Sequence, residues 1–319
     1  MSTRHIATPE GKGTREEENV ARTDITPTDA KKNHLAIIIA LVSLYILWGA
    51  TYLGMRVALQ SFPPFLLAGV RALIAGILMF TFLRARGAPM PTRKEWLGAT
   101  IVGALLLIGG NAEVNFAEQW VTSGLAAVAI GAVPLWAALF SGFFGRWPTR
   151  FEWYGLVLGF AGLILLNVGH GIASSNPLGI IVLLMSPIFW ALGSVLSQRV
   201  SQPKGLMAPA TQLVSGGVLL LVLGLSVGER ITSAPTATAI WSMLFLIVGG
   251  SLVAYTAYGY LLSHVRASLA TSYAYVNPVV AVCLGIWLAG EKISLTGVIA
   301  MLIILSGVVL VTMGRPQKH

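Results

Sequence analysis

The sequence predicts an all-α membrane protein: ten transmembrane helices in two inverted five-helix repeats. Three observations carry that prediction. Hydrophobic residues make up 55% of the 319 residues and charged residues only 10%, against about 25% charged in soluble domains; mean hydropathy is +0.78. Apolar runs of about 20 residues, the length that spans a bilayer, recur to the end of the chain. Two stretches also echo each other, Gly124-Leu-Ala-Ala-Val-Ala-Ile-Gly-Ala-Val-Pro134 and Ser268-Leu-Ala-Thr-Ser-Tyr-Ala-Tyr-Val-Asn-Pro278. Each sets a small residue before Leu-Ala and a proline at the same later place.

Residues 1–34 are polar, with six Lys/Arg balanced by six Asp/Glu. Their composition predicts a disordered tail, too long and too acidic for the start of a signal peptide. The apolar runs then predict spans at about 35–58, 63–84, 96–118, 122–144, 151–169, 177–199, 206–227, 238–263, 267–289 and 293–313. Breakers fill the gaps: Pro63-Pro64, Pro89, Pro91, Pro148, Asn176-Pro177, Pro203 and Pro235. Residues 35–170 form the first expected repeat, and residues 171–319 the second with a short C-terminal tail.

Charge predicts the orientation. With the N-terminus in the cytoplasm, the inner segments carry Lys31, Lys32, Arg84, Arg86, Arg93, Lys94, Arg146, Arg150, Arg199, Lys204, Arg266, Arg315 and Lys318. The outer loops carry only Arg230 and Lys292. The positive-inside rule places both termini in the cytoplasm. This distribution also explains the net charge of +9 without nucleic acid, since no basic face is interleaved with exposed aromatics.

The halves repeat at a nearly constant offset. Trp48 and Trp190 lie 142 apart, Pro134 and Pro278 lie 144 apart, and Phe160–Leu166 and Leu305–Val311 lie 145 apart. Five spans is an odd number, so the second copy is expected to be inverted. Inverted repeats with proline-interrupted spans characterise many transporters.

Several features argue against other classes. The single cysteine, Cys283, forms no intrachain disulfide and no zinc spacing. The five histidines fall in tails or expected loops, so no metal site or cofactor is predicted. No nucleotide loop is present, so ATP does not drive the protein directly. No Ser/His pair or His/Asp cluster lies at membrane depth, which argues against an intramembrane enzyme.

The candidate site residues follow from depth and chemistry. Trp48 and Trp190 fall near the midplane rather than at the interfaces where tryptophans gather, which suits a cavity wall or an internal packing position. Tyr52 belongs to the same stretch of span one. Tyr273 and Asn277 share a helix face and mix an apolar ring with hydrogen-bonding groups; Asn277 also suits a bond to a neighbouring helix. Arg71 lies within span two, where a guanidinium needs a partner or water. Asn111 and Asn115 share a face of span three. Glu113 lies nearer Arg71 in depth, so an Arg71–Glu113 pair is expected, with a substrate-anion site at Arg71 or proton coupling through Glu113 or Glu118 as alternatives. Pro134 and Pro278 sit near the middle of their spans, where each would kink the helix and free a carbonyl. Gly155-x-x-x-Gly159 with Gly162 makes a small-residue face, for packing within the chain or for a homodimer contact.

These residues resemble the EamA family of drug/metabolite transporters. The resemblance rests on Leu47-Trp-Gly-Ala-Thr-Tyr52, Gly69-Val-Arg71, Ala270 to Pro278 followed by an apolar run into Gly290-Glu291, and Gly297 with Gly307-Val-Val-Leu-Val311. It covers about residues 35–313. One departure is Gly145-Arg146, where the family often has Gly-Glu at the end of the fourth helix. The resemblance implies ten helices around a central cavity that opens alternately to each side. It also implies export of small metabolites or drugs from a bacterial cytoplasm across the inner membrane. An exchanger of phosphorylated or nucleotide-linked metabolites would call for more intramembrane cations than Arg71 and Arg56. A non-transporting membrane scaffold is the alternative from a different class.

Overall fold

The computed structural model describes residues 27–117, 129–166, 177–289 and 295–313, and among them all regular structure is helical. Residues 1–38 and residues 39–319 form two compact units. All site residues discussed below lie in the second. The helices are α1 Pro27–Ala58, α2 Pro64–Ala85, α3 Arg93–Ala117, α4 Val133–Phe143 and α5 Arg150–Leu166. They continue with α6 Pro177–Ser197, α7 Met207–Ser226, α8 Ala237–His264, α9 Tyr273–Ala289 and α10 Leu295–Met313. A one-turn helix, Ala267–Ala270, precedes α9. α1 begins at Pro27, inside the stretch expected to be a disordered tail.

Among the described residues, six helices are long and apolar enough to cross a membrane: α1 from His34, α2, α3, α6, α7 and α8. The expected spans 122–144, 151–169 and 293–313 run partly over residues outside the described set. Large apolar side chains face outward, among them Val157, Val222 and Leu302, each about 60% exposed. Polar side chains are turned inward, including Arg71, Asn115, Glu152, Gln212 and Asn277. A lipid surround favours this distribution.

Local chemistry sets the helix ends. α2 starts on Pro64, whose missing N–H would have had no helical partner. The Glu229 carboxylate accepts from the next free donors, Phe65 N at 3.1 Å and Leu66 N at 2.8 Å. Thr92 and Glu95 form a reciprocal capping box at α3, and Thr149 and Glu152 repeat the device at α5. Gly87, Gly145 and Gly228 end α2, α4 and α7 at φ near +84°, the left-handed region that favours glycine. Each sits in a Schellman turn, as in Ala88 N to Leu83 O at 3.0 Å and Glu229 N to Gly224 O at 2.9 Å.

Two antiparallel glycine seams join the halves. α2 lies along α7, and α5 along α10. A methyl at Gly76 would meet the Val214 backbone nitrogen at 2.6 Å, and one at Gly217 would meet the Leu73 nitrogen at 2.7 Å. Gly76 and Gly217 are 141 apart, so equivalent positions of the two halves make reciprocal contacts. In the second seam, Gly155 and Gly159 face Gly307, and Gly162 faces Ile303 and Ile304. The Gly155-x-x-x-Gly159 face is therefore covered by α10 of the same chain. Gly→Ala costs little where space exists, but here backbone already fills the place of the missing side chain.

The two prolines are not equivalent. Pro278 lies inside α9, as expected. Pro134 does not kink a continuous span. A turn at 131–132 breaks the chain, α4 starts at Val133, and Pro134 occupies the first turn, where its absent donor costs nothing. The second half breaks earlier, at Thr271-Ser272, before Tyr273 opens α9. Pro187, inside α6, is a further interruption that the repeat pattern did not single out.

The seam gives a test. Gly155→Leu should force α5 from α10 and lower stability by about 1–3 kcal/mol, the usual cost of overpacking. Val157→Leu, on the outward face of the same helix, should stay within about 0.5 kcal/mol. Thermal unfolding of the detergent-solubilised protein distinguishes them, and equal stability of the two variants would contradict the seam.

Candidate functional site

α3 and α8 each contain a nine-residue π-helical segment, Ala104–Ala112 and Leu246–Ala254. They begin 142 apart and carry Gly109-Gly110 and Gly249-Gly250. Such segments widen the helix and present backbone away from the regular α ladder, and they are frequent at functional sites. Glycine lets other elements come close. Gly110 lies against the Trp190 indole, and Gly250 against Thr51.

Side chains bind both segments. Trp48 Nε1 donates to Gly250 O at 3.0 Å, and Ser186 Oγ donates to Gly110 O at 2.6 Å. Trp48 lies on α1 and reaches the π segment of α8; Ser186 lies on α6 and reaches that of α3. Each half thus supplies a donor to the other half's irregular backbone. Gly250 O also accepts from Tyr255 N, five residues on, so both of its lone pairs are engaged.

Four rings meet at this level. Trp48 contacts Tyr273 at 4.6 Å between centroids, Tyr258 at 5.3 Å and Trp190 at 5.6 Å. Tyr258 contacts Tyr273 at 5.6 Å and Trp190 at 5.7 Å. The Trp48–Tyr273 and Trp48–Trp190 pairs are edge-to-face, the geometry favoured by the ring quadrupole. Trp190 Nε1 donates to Tyr258 Oη at 3.0 Å, and Tyr258 Oη shares a further hydrogen bond with Ser194 Oγ.

A cavity of about 70 Å³ opens beside the rings. Trp48, Trp190 and Tyr273 form its aromatic wall, and Arg71, Asn111, Asn115 and Asn277 its polar wall, with Thr51 and Ser186 between. Arg71 Nη2 donates to Asn111 Oδ1 at 2.5 Å. Asn115 is 1% exposed, and neither its amide nitrogen nor its oxygen has a hydrogen-bond partner. Asn277 Nδ2 donates to the carbonyls of Tyr45 and Tyr273, both at 3.2 Å, so it ties α1 to α9 while facing the cavity.

The expected Arg71–Glu113 pair does not form. The only ion pair among the described residues joins Arg266 to Glu152. Arg71 bonds Asn111 instead, and Glu113 is not on the cavity wall; its Oε2 has no partner. The π segment rotates the face of α3 relative to a regular helix and brings Asn111 to the guanidinium. Glu118 lies outside the described residues, as does the side chain of Tyr52. Sequence reasoning missed Tyr258, Ser186, Ser194 and Thr51. The signal available was the Gly-Gly pair, repeated 140 positions apart.

A second, larger cavity of about 800 Å³ lies further along the same helices. On α6, Trp190 lines the small cavity and Ser197 the large one, followed just past the helix by Gln198. On the last stretch before α9 and on α9 itself, Leu269 lines the large cavity and Tyr273 and Asn277 the small one. Tyr258 belongs to the ring cluster and Gly259 to the large cavity. The aromatic cluster therefore separates the two spaces. Among the wall residues of the large cavity, Gln212 Oε1 accepts from Tyr255 Oη at 2.9 Å and its amide donates to Gln202. Glu152, 1% exposed, binds Arg266 and accepts from Ser268 Oγ at 2.9 Å at the rim. Among the described residues, no cluster of His, Cys, Asp or Glu could hold a metal ion.

The chain is 45% identical over 277 residues to the "Uncharacterized inner membrane transporter YedA" of Escherichia coli strain K12, covering 86% of this chain and 90% of that protein. It is 26% identical to the "Uncharacterized transporter YoaV" of Bacillus subtilis strain 168, over 85% and 95% of the two chains. A crystal structure with 21% sequence identity matches with a TM-score of 0.74, covering 87% of this chain and 98% of its own, which shows a shared fold. The EamA-like transporter family matches residues 35–168 and again 177–313. On these matches, the chain belongs to the EamA-like transporter family.

Proposed function

We propose that the chain is a secondary transporter that exports small metabolites or drugs by alternating access. The observation that carries this reading is the pair of cavities on one helix core, with the cluster of Trp48, Trp190, Tyr258 and Tyr273 lying between their wall residues along α6 and α8. Their walls are related by the repeat. Arg71 on the small-cavity wall and Gln212 on the large-cavity wall are 141 apart, the offset of the α2–α7 seam. One member of the pair is open at about 800 Å³ and the other narrowed to about 70 Å³. A carrier that exposes one site to each side in turn has this arrangement in either end state.

In this reading α4, α5, α9 and α10 complete a set of ten spans, and the antiparallel seams reflect two inverted repeats. Both termini lie in the cytoplasm of a bacterium, and the chain sits in its inner membrane. The large cavity is then the cytoplasmic vestibule, since Arg146, Lys204 and Arg266 lie on its wall. Substrate enters there and passes the rings when α1, α6 and α9 shift against the seams. The proposed role is transport rather than catalysis, since the small cavity presents aromatic and amide groups beside Arg71, a lining suited to binding.

Two experiments test this. In a Cys283→Ala background, Gln202→Cys should react with a membrane-impermeant thiol reagent in inside-out vesicles and not in intact cells. Labelling only in intact cells would reverse the orientation. In proteoliposomes, substrate flux should fall at least tenfold on Trp48→Ala and on Tyr273→Ala with the fold retained by thermal unfolding. Unchanged flux in both variants would remove the ring cluster from the route.

A further inference from the structure

Among the described residues, Arg71, 8% exposed, is the only charged side chain on the wall of the small cavity. No carboxylate lies within ion-pair distance of it among the described residues. A guanidinium offers five N–H donors, and the bond to Asn111 uses one. A buried, uncompensated cation is costly. The nearest acid in sequence to this wall, Glu113, is half-buried on α3 but off the wall, and Glu152 is engaged by Arg266 at the other cavity.

Asn115 supplies an independent observation. It is almost fully buried, it lines the cavity, and both ends of its amide are unpartnered. An unmet donor and acceptor in a buried wall are costly unless something in the cavity meets them. Arg71 and Asn115 thus ask for two different groups: an anion, and a polar group that accepts or donates.

We propose that this site takes a small organic monocarboxylate, its carboxylate on Arg71 and a hydroxyl, keto or amide group on Asn115. Volume and charge select this class. The cavity, about 70 Å³, holds about five water-sized groups at roughly 10–15 Å³ each. A carboxylate with a short tail fits that space. A phosphate ester would bring about two negative charges to one cation. The apolar part of the tail lies against Trp48 and Tyr273. The inference rests on the transport reading for its biological role, and on Arg71 and Asn115 alone for binding.

The test uses matched probes on the full chain in lipid nanodiscs: C3 to C6 hydroxymonocarboxylates and their primary amides, which keep the shape and remove the charge. At constant ionic strength, the acids should raise the unfolding temperature with at least tenfold lower half-saturation than the amides. Arg71→Gln should abolish that preference, and Arg71→Lys should keep part of it. Asn115→Leu should weaken a hydroxy acid but not the corresponding plain acid. Equal responses to acid and amide in the unsubstituted protein overturn the proposal, as does an acid preference that survives Arg71→Gln or the absence of any response to the acids. Because the acid–amide comparison is made on the unsubstituted protein, a misfolded variant does not decide it. Flux in proteoliposomes separates the two readings. An acid that binds but does not cross defeats transport and leaves the anion site, whereas neutral amides that cross as well as acids defeat the anion site and leave transport.

Discussion

The hydrogen bond from the Trp48 indole to the Gly250 carbonyl carries much of this architecture. In a bilayer, backbone groups that leave the α ladder find no water, so irregular backbone survives only where protein or a wet cavity meets it. The π segments of α3 and α8 are such backbone, and Trp48 and Ser186 meet them from α1 and α6. The same bond fixes the indole against Tyr258 and Tyr273. A local constraint of hydrogen bonding therefore sets the wall of the cavity and the barrier between the two spaces. Each half depends on the other for this bond, which makes the two repeats one unit in energy as well as in contact.

Against that barrier stand the two seams. Backbone contacts at Gly76, Gly217, Gly155 and Gly307 leave no side chain to swing, so α2 with α7 and α5 with α10 make stiff pairs. The interrupted elements lie elsewhere: the π segments, the turn at 131–132, the turn at Thr271-Ser272 and Pro278. Motion costs least where the regular α ladder is already interrupted. In the proposed transport cycle the stiff seams are the frame and the interrupted elements the moving part.

The sequence made the frame legible. Gly155, Gly159 and Gly162 announced a packing face, and the offset of Trp48 and Trp190 announced a repeat. Depth, shared helix faces and side-chain chemistry singled out Trp48, Arg71, Asn111, Asn115, Trp190, Tyr273 and Asn277, and all seven line one cavity. What failed was phase. A wheel of 100° per residue assumes an unbroken α-helix, and Asn111 falls within a π segment. That is why Glu113 looked like the partner of Arg71 and Asn111 proved to be. Pro134 failed for a related reason: hydropathy does not mark the turn before it, so a helix start read as a helix middle. Tyr258 carried no sequence signal of its own, because a tyrosine in an apolar span is ordinary until its hydroxyl is seen bonded to Trp190 and Ser194.

The repeat is symmetric in its frame and asymmetric in its chemistry. Where the narrow cavity sets Arg71 against Asn111, the open one sets Gln212 against Tyr255. Tyr273 and Asn277 stand 144 positions from Ala129 and Val133, which offer neither ring nor amide. In the proposed alternating-access cycle, a duplicated frame makes two end states of similar packing accessible, since each is close to the image of the other. Identical walls would bind a solute equally in both states, and a ligand with equal affinity for two states shifts neither. A single buried guanidinium on one side breaks that equality. In that proposed cycle the frame supplies two conformations of comparable energy, and the unshared residues supply the difference in affinity between them.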